Sequence, residues 1–204
     1  MRRSVSPRAT VSLLTVALAL LPVATVAQIP PPLPREQALE ALRAPDAATH
    51  VHAVASLAVS GTMADVPALV RALRDDEPGV RGLAERALWQ VWSRSGDPEV
   101  DALFALGLQQ MSQGDAGPAI ATFGRVIERK PDFAEGWNKR ATLYYLTGEY
   151  EKSLRDCDEV MKRNPAHFGA LSGYGQIYLR LNQPEKALTY FERALAVNPN
   201  MEQV

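Results

Sequence analysis

Three prolines, Pro131, Pro165 and Pro199, stand 34 residues apart twice over. A chain that keeps such a period is restricted to stacked copies of one small helical unit. A helix pair of this length cannot bury its apolar face alone, so neighbours must stack, and stacking leaves an extended concave surface suited to holding another molecule. Other columns keep the same register. With each unit starting 31 residues before its proline, at Val100, Ala134 and Phe168, the eighth column holds Gly107, Ala141 and Gly175 and the twentieth Ala119, Ser153 and Ala187. Small side chains there let two helix backbones cross closely. The fifteenth column, Gly114, Gly148 and Asn182, supplies turn residues that tolerate positive φ. The fourth, Leu103, Trp137 and Leu171, is large and apolar.

On these columns residues 97–204 resemble three tetratricopeptide repeats, at 100–133, 134–167 and 168–201. The departures are local. Gln110 stands where the family favours tyrosine (Tyr144 and Tyr178 conform), Arg140 where it favours leucine, and Cys157 where Phe123 and Phe191 show the usual aromatic, so the middle repeat is expected to be slightly underpacked. The resemblance implies a concave groove lined by the first helix of each repeat. Its candidate residues are Phe104 and Leu108, then Asn138, Lys139, Thr142 and Tyr145, then Gln176 and Arg180. Phe104, Leu108 and Tyr145 would anchor an extended or helical peptide, while Asn138, Gln176 and Arg180 grip its backbone or an acidic group. The alternative for Phe104 and Leu108 is that preceding helices cover them. The carboxylate clamp of chaperone-binding relatives is not matched, because Phe104 and Leu108 occupy its first columns and Gly169 and Gly173 its last.

Upstream, a weaker repeat appears at an offset of 29: Asp46, Val51, Val54, Ala55, Ala58 and Val59 align with Asp75, Val80, Leu83, Ala84, Ala87 and Leu88. Residues 35–96 thus resemble two short HEAT-like units. That resemblance implies a structural pairing of Asp75 or Asp76 with Arg81, and the segment is expected to cover the apolar edge of the first tetratricopeptide repeat. The expected fold is all-α, a right-handed α-solenoid of helix-turn-helix repeats, three tetratricopeptide units preceded by two HEAT-like ones. Helices are predicted over 35–43, 47–59, 64–74, 79–93, 98–112, 116–129, 134–146, 150–163, 168–180 and 184–197.

At the N-terminus, Arg2, Arg3 and Arg8 precede an apolar run, Leu13 to Leu21, and a small-residue exit, Thr25-Val26-Ala27. This reads as a signal peptide over 1–27, cut after Ala27. An uncleaved anchor is the alternative, since the apolar stretch approaches the about 20 residues a span needs. Residues 28–34, with Pro30, Pro31, Pro32 and Pro34, read as a proline-rich linker. Cleavage removes three arginines and no acid, leaving 19 basic against 23 acidic side chains, a formal −4. Such a chain lacks the basic stripe that nucleic acid requires.

No glycine-rich phosphate loop, Gly-x-Ser-x-Gly elbow or His-Glu-x-x-His pair occurs. His50 and His52 are two apart, so on a helix they face different ways, and His167 follows Pro165 in a loop; neither arrangement predicts a metal site. Asp75-Asp76 and Asp156-Asp158 are expected on solvated faces, and the single Cys157 in a helix core. With no catalytic residue, cofactor or metal indicated, the chain reads as an exported, periplasmic or secreted, non-enzymatic module that presents its groove to a protein or peptide partner in envelope assembly or maintenance. No nucleic acid is involved on this reading, and membrane contact arises only if the signal is uncleaved. A signal-anchored inner-membrane assembly factor is the alternative. A remoter one, from the HEAT-like resemblance alone, is an enzyme akin to chromophore lyases. Self-association through Tyr190 and Leu195 is left open.

Overall fold

The computed structural model describes residues 30–202; the signal-peptide reading falls on residues outside them. Among the described residues ten α-helices follow one another: α1 Arg35–Ala41, α2 Ala47–Ser60, α3 Val66–Ala72, α4 Pro78–Trp92, α5 Pro98–Ser112, α6 Ala116–Arg129, α7 Ala134–Leu146, α8 Tyr150–Arg163, α9 Phe168–Arg180 and α10 Pro184–Val197. A 3-10 turn, Met63–Asp65, leads into α3, and no strand occurs among the described residues. The fold is an all-helical solenoid of helix-turn-helix units. From α5 onward the six helices run over the spans predicted from the period, end for end.

The fifteenth column explains the turns. Gly114, Gly148 and Asn182 adopt φ of 82°, 80° and 56°, a left-handed conformation in which most L side chains are strained. The eighth column explains the close helix crossing within each repeat. A Cβ on Gly107 would come within 2.7 Å of the Phe123 ring, and one on Gly175 would collide with Phe191. In the middle repeat Ala141 and Cys157 share one buried cluster, so the volumes of the glycine–phenylalanine pair are redistributed but not matched. Arg140 finds its own compensation on α8, donating two bonds of 2.7 and 2.8 Å to Asp156. Asp156 is therefore not on a solvated face as expected: it is 4% exposed, and a buried carboxylate requires such a partner.

Helices α1–α4 form two hairpins around a core that includes Val54, Leu57, Leu69, Leu73, Val80, Ala84 and Leu88. The proline stretch lies along α2, with Leu33 N–H donating to Ser56 Oγ (2.9 Å) and the Pro31 carbonyl 2.9 Å from His52 Nε2. The pairing of Arg81 with an aspartate carboxylate does not form. Arg81 donates to the backbone carbonyls of Asp75 and Asp76 instead (2.9 and 3.1 Å), because the Asp75 carboxylate is taken by His50 Nδ1 at 2.7 Å.

The placement of this segment also corrects the sequence expectation. It leaves the outer face of the first repeat uncovered, where Leu106 of α5 is 42% exposed, and docks at the other end of the array. Phe168 belongs to the α1–α4 core. Arg74 caps the C-terminus of α10, donating to the carbonyls of Val197 (3.1 Å) and Ala196, while Asn200 Nδ2 donates to the Leu73 carbonyl at 2.8 Å. The last carbonyls of a helix have no intrahelical donor, and Arg74 supplies one for two of those of α10.

Candidate functional site

The inward columns of α7 and α9 divide into two ends. At the first, near the helix N-termini, Glu135 is wholly buried. Lys139 Nζ approaches Glu135 Oε1 at 2.9 Å, one turn on, and His167 Nε2 approaches Oε2 at 2.9 Å. His167 caps α9, its Nδ1 accepting from the Ala170 N–H at 3.0 Å. An Nδ1 that accepts from the amide leaves Nε2 as the ring nitrogen that donates to Glu135. Burial by itself raises the carboxyl's pKa, but the His167 bond and the Lys139 ammonium outweigh it and hold Glu135 well below the usual carboxylate range.

Helix α4 seals this end. Trp92 stacks on His167 with ring centroids 4.4 Å apart and Trp89 meets it edge-on at 5.4 Å. Lys139 lies 5.5 Å over the Trp89 ring, and a Cβ on Gly169 would come within 2.5 Å of that ring. Glycine in the second column of α9 is what lets the tryptophan enter.

Beyond Trp89 the groove opens into a cleft of about 220 Å³ between α7 and α9, lined by Asn138, Thr142, Tyr145 and Gln176 above and by Ala141, Ser153, Cys157, Gly173 and Ile177 below. Asn138 is 7% exposed and directs Nδ2 at both oxygens of Glu135 (3.1 and 3.2 Å). A carboxylate only accepts, so the amide cannot be flipped, and Oδ1, which accepts no bond from the described residues, is left for the cleft. At the outer rim Arg180 Nε donates to Tyr145 Oη at 3.2 Å. The Cys157 thiol on the floor is pushed up to about 12 by burial, with the charges of Asp156 and Asp158 adding to it. It is an apolar surface, not a nucleophile.

Of the eight candidate residues, four line one cleft: Asn138, Thr142, Tyr145 and Gln176. Arg180 joins them through Tyr145. Lys139 turns to Glu135 and Trp89 at the sealed end. Phe104 is no anchor. It is 3% exposed, packed edge-on against Phe123 and Phe133, so its own repeat and not the preceding helices covers it. Leu108 is 38% exposed on α5 and outside the cleft.

Several contributors were not among the candidates, Glu135, Trp89, Cys157 and Gly173 among them. Cys157 carried a signal, being the one departure from the aromatic column. Gly173 carried another. A mid-helix glycine costs roughly 0.5–1 kcal/mol relative to alanine, and the nearest atom its Cβ would meet is Cys157 Sγ at 3.9 Å, so no neighbour requires it.

Residues 101–132 and 132–200 each match a family model described as tetratricopeptide repeat. A TPR repeat-containing protein of Rhizobium etli is 34% identical over 126 residues, 62% of this chain and 62% of that protein. Anaphase-promoting complex subunit 3 of Schizosaccharomyces pombe is 28% identical over 88 residues, 43% of this chain and 13% of its own length. The chain thus spans less than two thirds of either relative. Among solved structures, YrrB, described as a TPR protein with an unusual peptide-binding site, has a TM-score of 0.48 at 19% identity, covering 82% of this chain and 76% of YrrB. MamA has a TM-score of 0.48 at 18% identity, covering 77% of this chain and 93% of MamA.

Proposed function

We infer, for a chain that belongs to the tetratricopeptide-repeat family over residues 101–200, that it is a non-enzymatic interaction module whose α7–α9 groove holds an extended segment of a protein partner. The observation that carries this reading is the cleft itself. Asn138 presents a fixed acceptor, Gln176 an exposed amide and Arg180 a rim cation around an apolar floor, which is the arrangement a peptide needs for backbone and side-chain contacts. Partner capture tests it. Tagged wild-type protein and a Tyr145→Ala, Gln176→Ala, Arg180→Ala variant are compared on envelope extract by quantitative mass spectrometry. Loss of the captured set in the variant is expected, and an unchanged set overturns the groove assignment.

The same proposal places the protein outside the cytoplasm, in the periplasm or beyond, with a role in envelope assembly or maintenance. Its support is the basic start, the apolar run and the exit at Ala27. Among the described residues no helix is long and apolar enough to cross a membrane. An intact mass beginning at Gln28 is expected; a mature chain retaining residues 1–27 favours the signal-anchored alternative. The HEAT-like reading of residues 35–96 belongs here too, supported by the 29-residue offset.

A further inference from the structure

The cleft in the middle repeat exists because two side chains are small. In the first and third repeats a phenylalanine, Phe123 or Phe191, packs directly onto the eighth-column glycine. In the second, Cys157 replaces the ring, and Gly173 on α9 adds no side chain over the resulting space. At about 220 Å³ the cavity lies below the roughly 300–1,000 Å³ of pockets that hold drug-sized ligands, yet it admits one amino-acid side chain. Its floor is apolar, the Cys157 thiol being kept protonated there. Arg180 is held beside it by the bond to Tyr145 of its lining, and no Asp or Glu lines it. Asn138 is 7% exposed, and its Oδ1 accepts no bond from the described residues, as expected where an incoming N–H completes it.

We propose that this pocket is the specificity site of the groove, taking one aliphatic side chain, leucine, isoleucine or methionine, from a peptide segment whose adjacent residue is acidic and meets Arg180. The proposal rests on the groove reading above and adds the class of residue recognised. The aliphatic side chain fills the space that a family phenylalanine occupies in the flanking repeats. The acidic neighbour pairs with the only cation at the rim that has no carboxylate partner among the described residues, since Lys139 is held by Glu135.

The test is selection of random nonapeptides displayed on phage against the full chain, in parallel with Gly173→Leu, Cys157→Ala and the Tyr145→Ala, Gln176→Ala, Arg180→Ala variant. Gly173→Leu fills the pocket at a position where leucine favours helix over glycine. Wild type is expected to enrich an aliphatic residue beside Asp or Glu. For a synthetic peptide of the winning sequence, Kd rises at least about tenfold with Gly173→Leu or when the aliphatic residue becomes alanine. Cys157→Ala enlarges the floor and shifts the selected residue toward phenylalanine, a readout that holds even if Gly173→Leu fails to fold. Winners that bind Gly173→Leu as tightly as wild type, winners that carry basic neighbours, or no enrichment by wild type each overturn the proposal. Winners that survive Gly173→Leu but are lost in the triple variant overturn the pocket and leave the groove standing. Winners lost in neither remove both.

Discussion

The two ends of one groove are built from the same repeat columns and do opposite things. At the Glu135 end the groups around the buried carboxylate are bound to one another: Lys139 and His167 to the carboxylate, Ala170 N–H to His167, Asn138 Nδ2 to both carboxylate oxygens. Trp89 and Trp92 of α4 close over them. At the Tyr145 end Gln176 and Arg180 are exposed and Asn138 Oδ1 is unfilled. Facing inward is therefore not the same as being available. The chain's own fourth helix occupies the first end as a ligand would and leaves the second open. On the proposed function one end supplies stability, the other recognition, and Asn138 belongs to both.

The largest test of this division is Glu135→Ala. It removes the acceptor for Lys139, His167 and Asn138 inside a sealed site, and breaking a buried pair by deleting one partner costs about 3–5 kcal/mol. Urea denaturation should show a midpoint lowered accordingly. A loss no greater than that of an exposed substitution would mean that the network is solvated and the first end is not sealed. Trp89→Ala comes next, at about 2–3 kcal/mol for a half-buried ring. Gly169→Ala sharpens it: the added Cβ meets Trp89 at 2.5 Å in the wild type and only His167 Cε1, at 3.3 Å, in the Trp89→Ala background, so the two changes must be non-additive in a double-mutant cycle.

Protonation makes a smaller, graded version of the same break. The Glu135 carboxyl is held below its ordinary value of 4.5, so its contribution is complete above that pH and falls away as the pH drops through the folded-state value. Stability should decline below pH 4.5 with a slope from this group of at most about 1.4 kcal/mol per pH unit. Glu135→Gln, which keeps the shape, removes that part of the slope. Equal slopes in the two proteins would show that Glu135 is protonated already.

Much of this architecture is legible in the chain because the period forces it. Six helix spans and three left-handed turns follow from columns in which any other residue type would collide or strain, as Gly107 against Phe123 and Asn182 at φ 56° illustrate. The candidate site was legible only where a column alone decides the surroundings. Thr142, Tyr145 and Gln176 line the cleft because α7 and α9 face each other in register. Phe104 lies buried instead, because Phe123 and Phe133 of its own repeat pack against it. Nothing in the spacing of 100–204 says where α4 will lie, since that depends on Arg74 meeting the end of α10 and on Trp89 finding Gly169, pairings separated by more than 70 positions along the sequence.

The smallest effect on stability should come from the recognition end, and that asymmetry is itself a prediction. Arg180 is exposed and its single side-chain bond is to Tyr145 Oη, so Arg180→Ala should leave the melting temperature within about 2 °C of wild type. Gln176→Ala, exposed on the same helix, should behave alike. Both should nevertheless weaken retention of whatever segment the groove captures, measured as faster dissociation from immobilised protein, because contacts made only in the complex cost nothing in the free chain. A variant that unfolds more readily yet binds unchanged would reverse the assignment of the two ends.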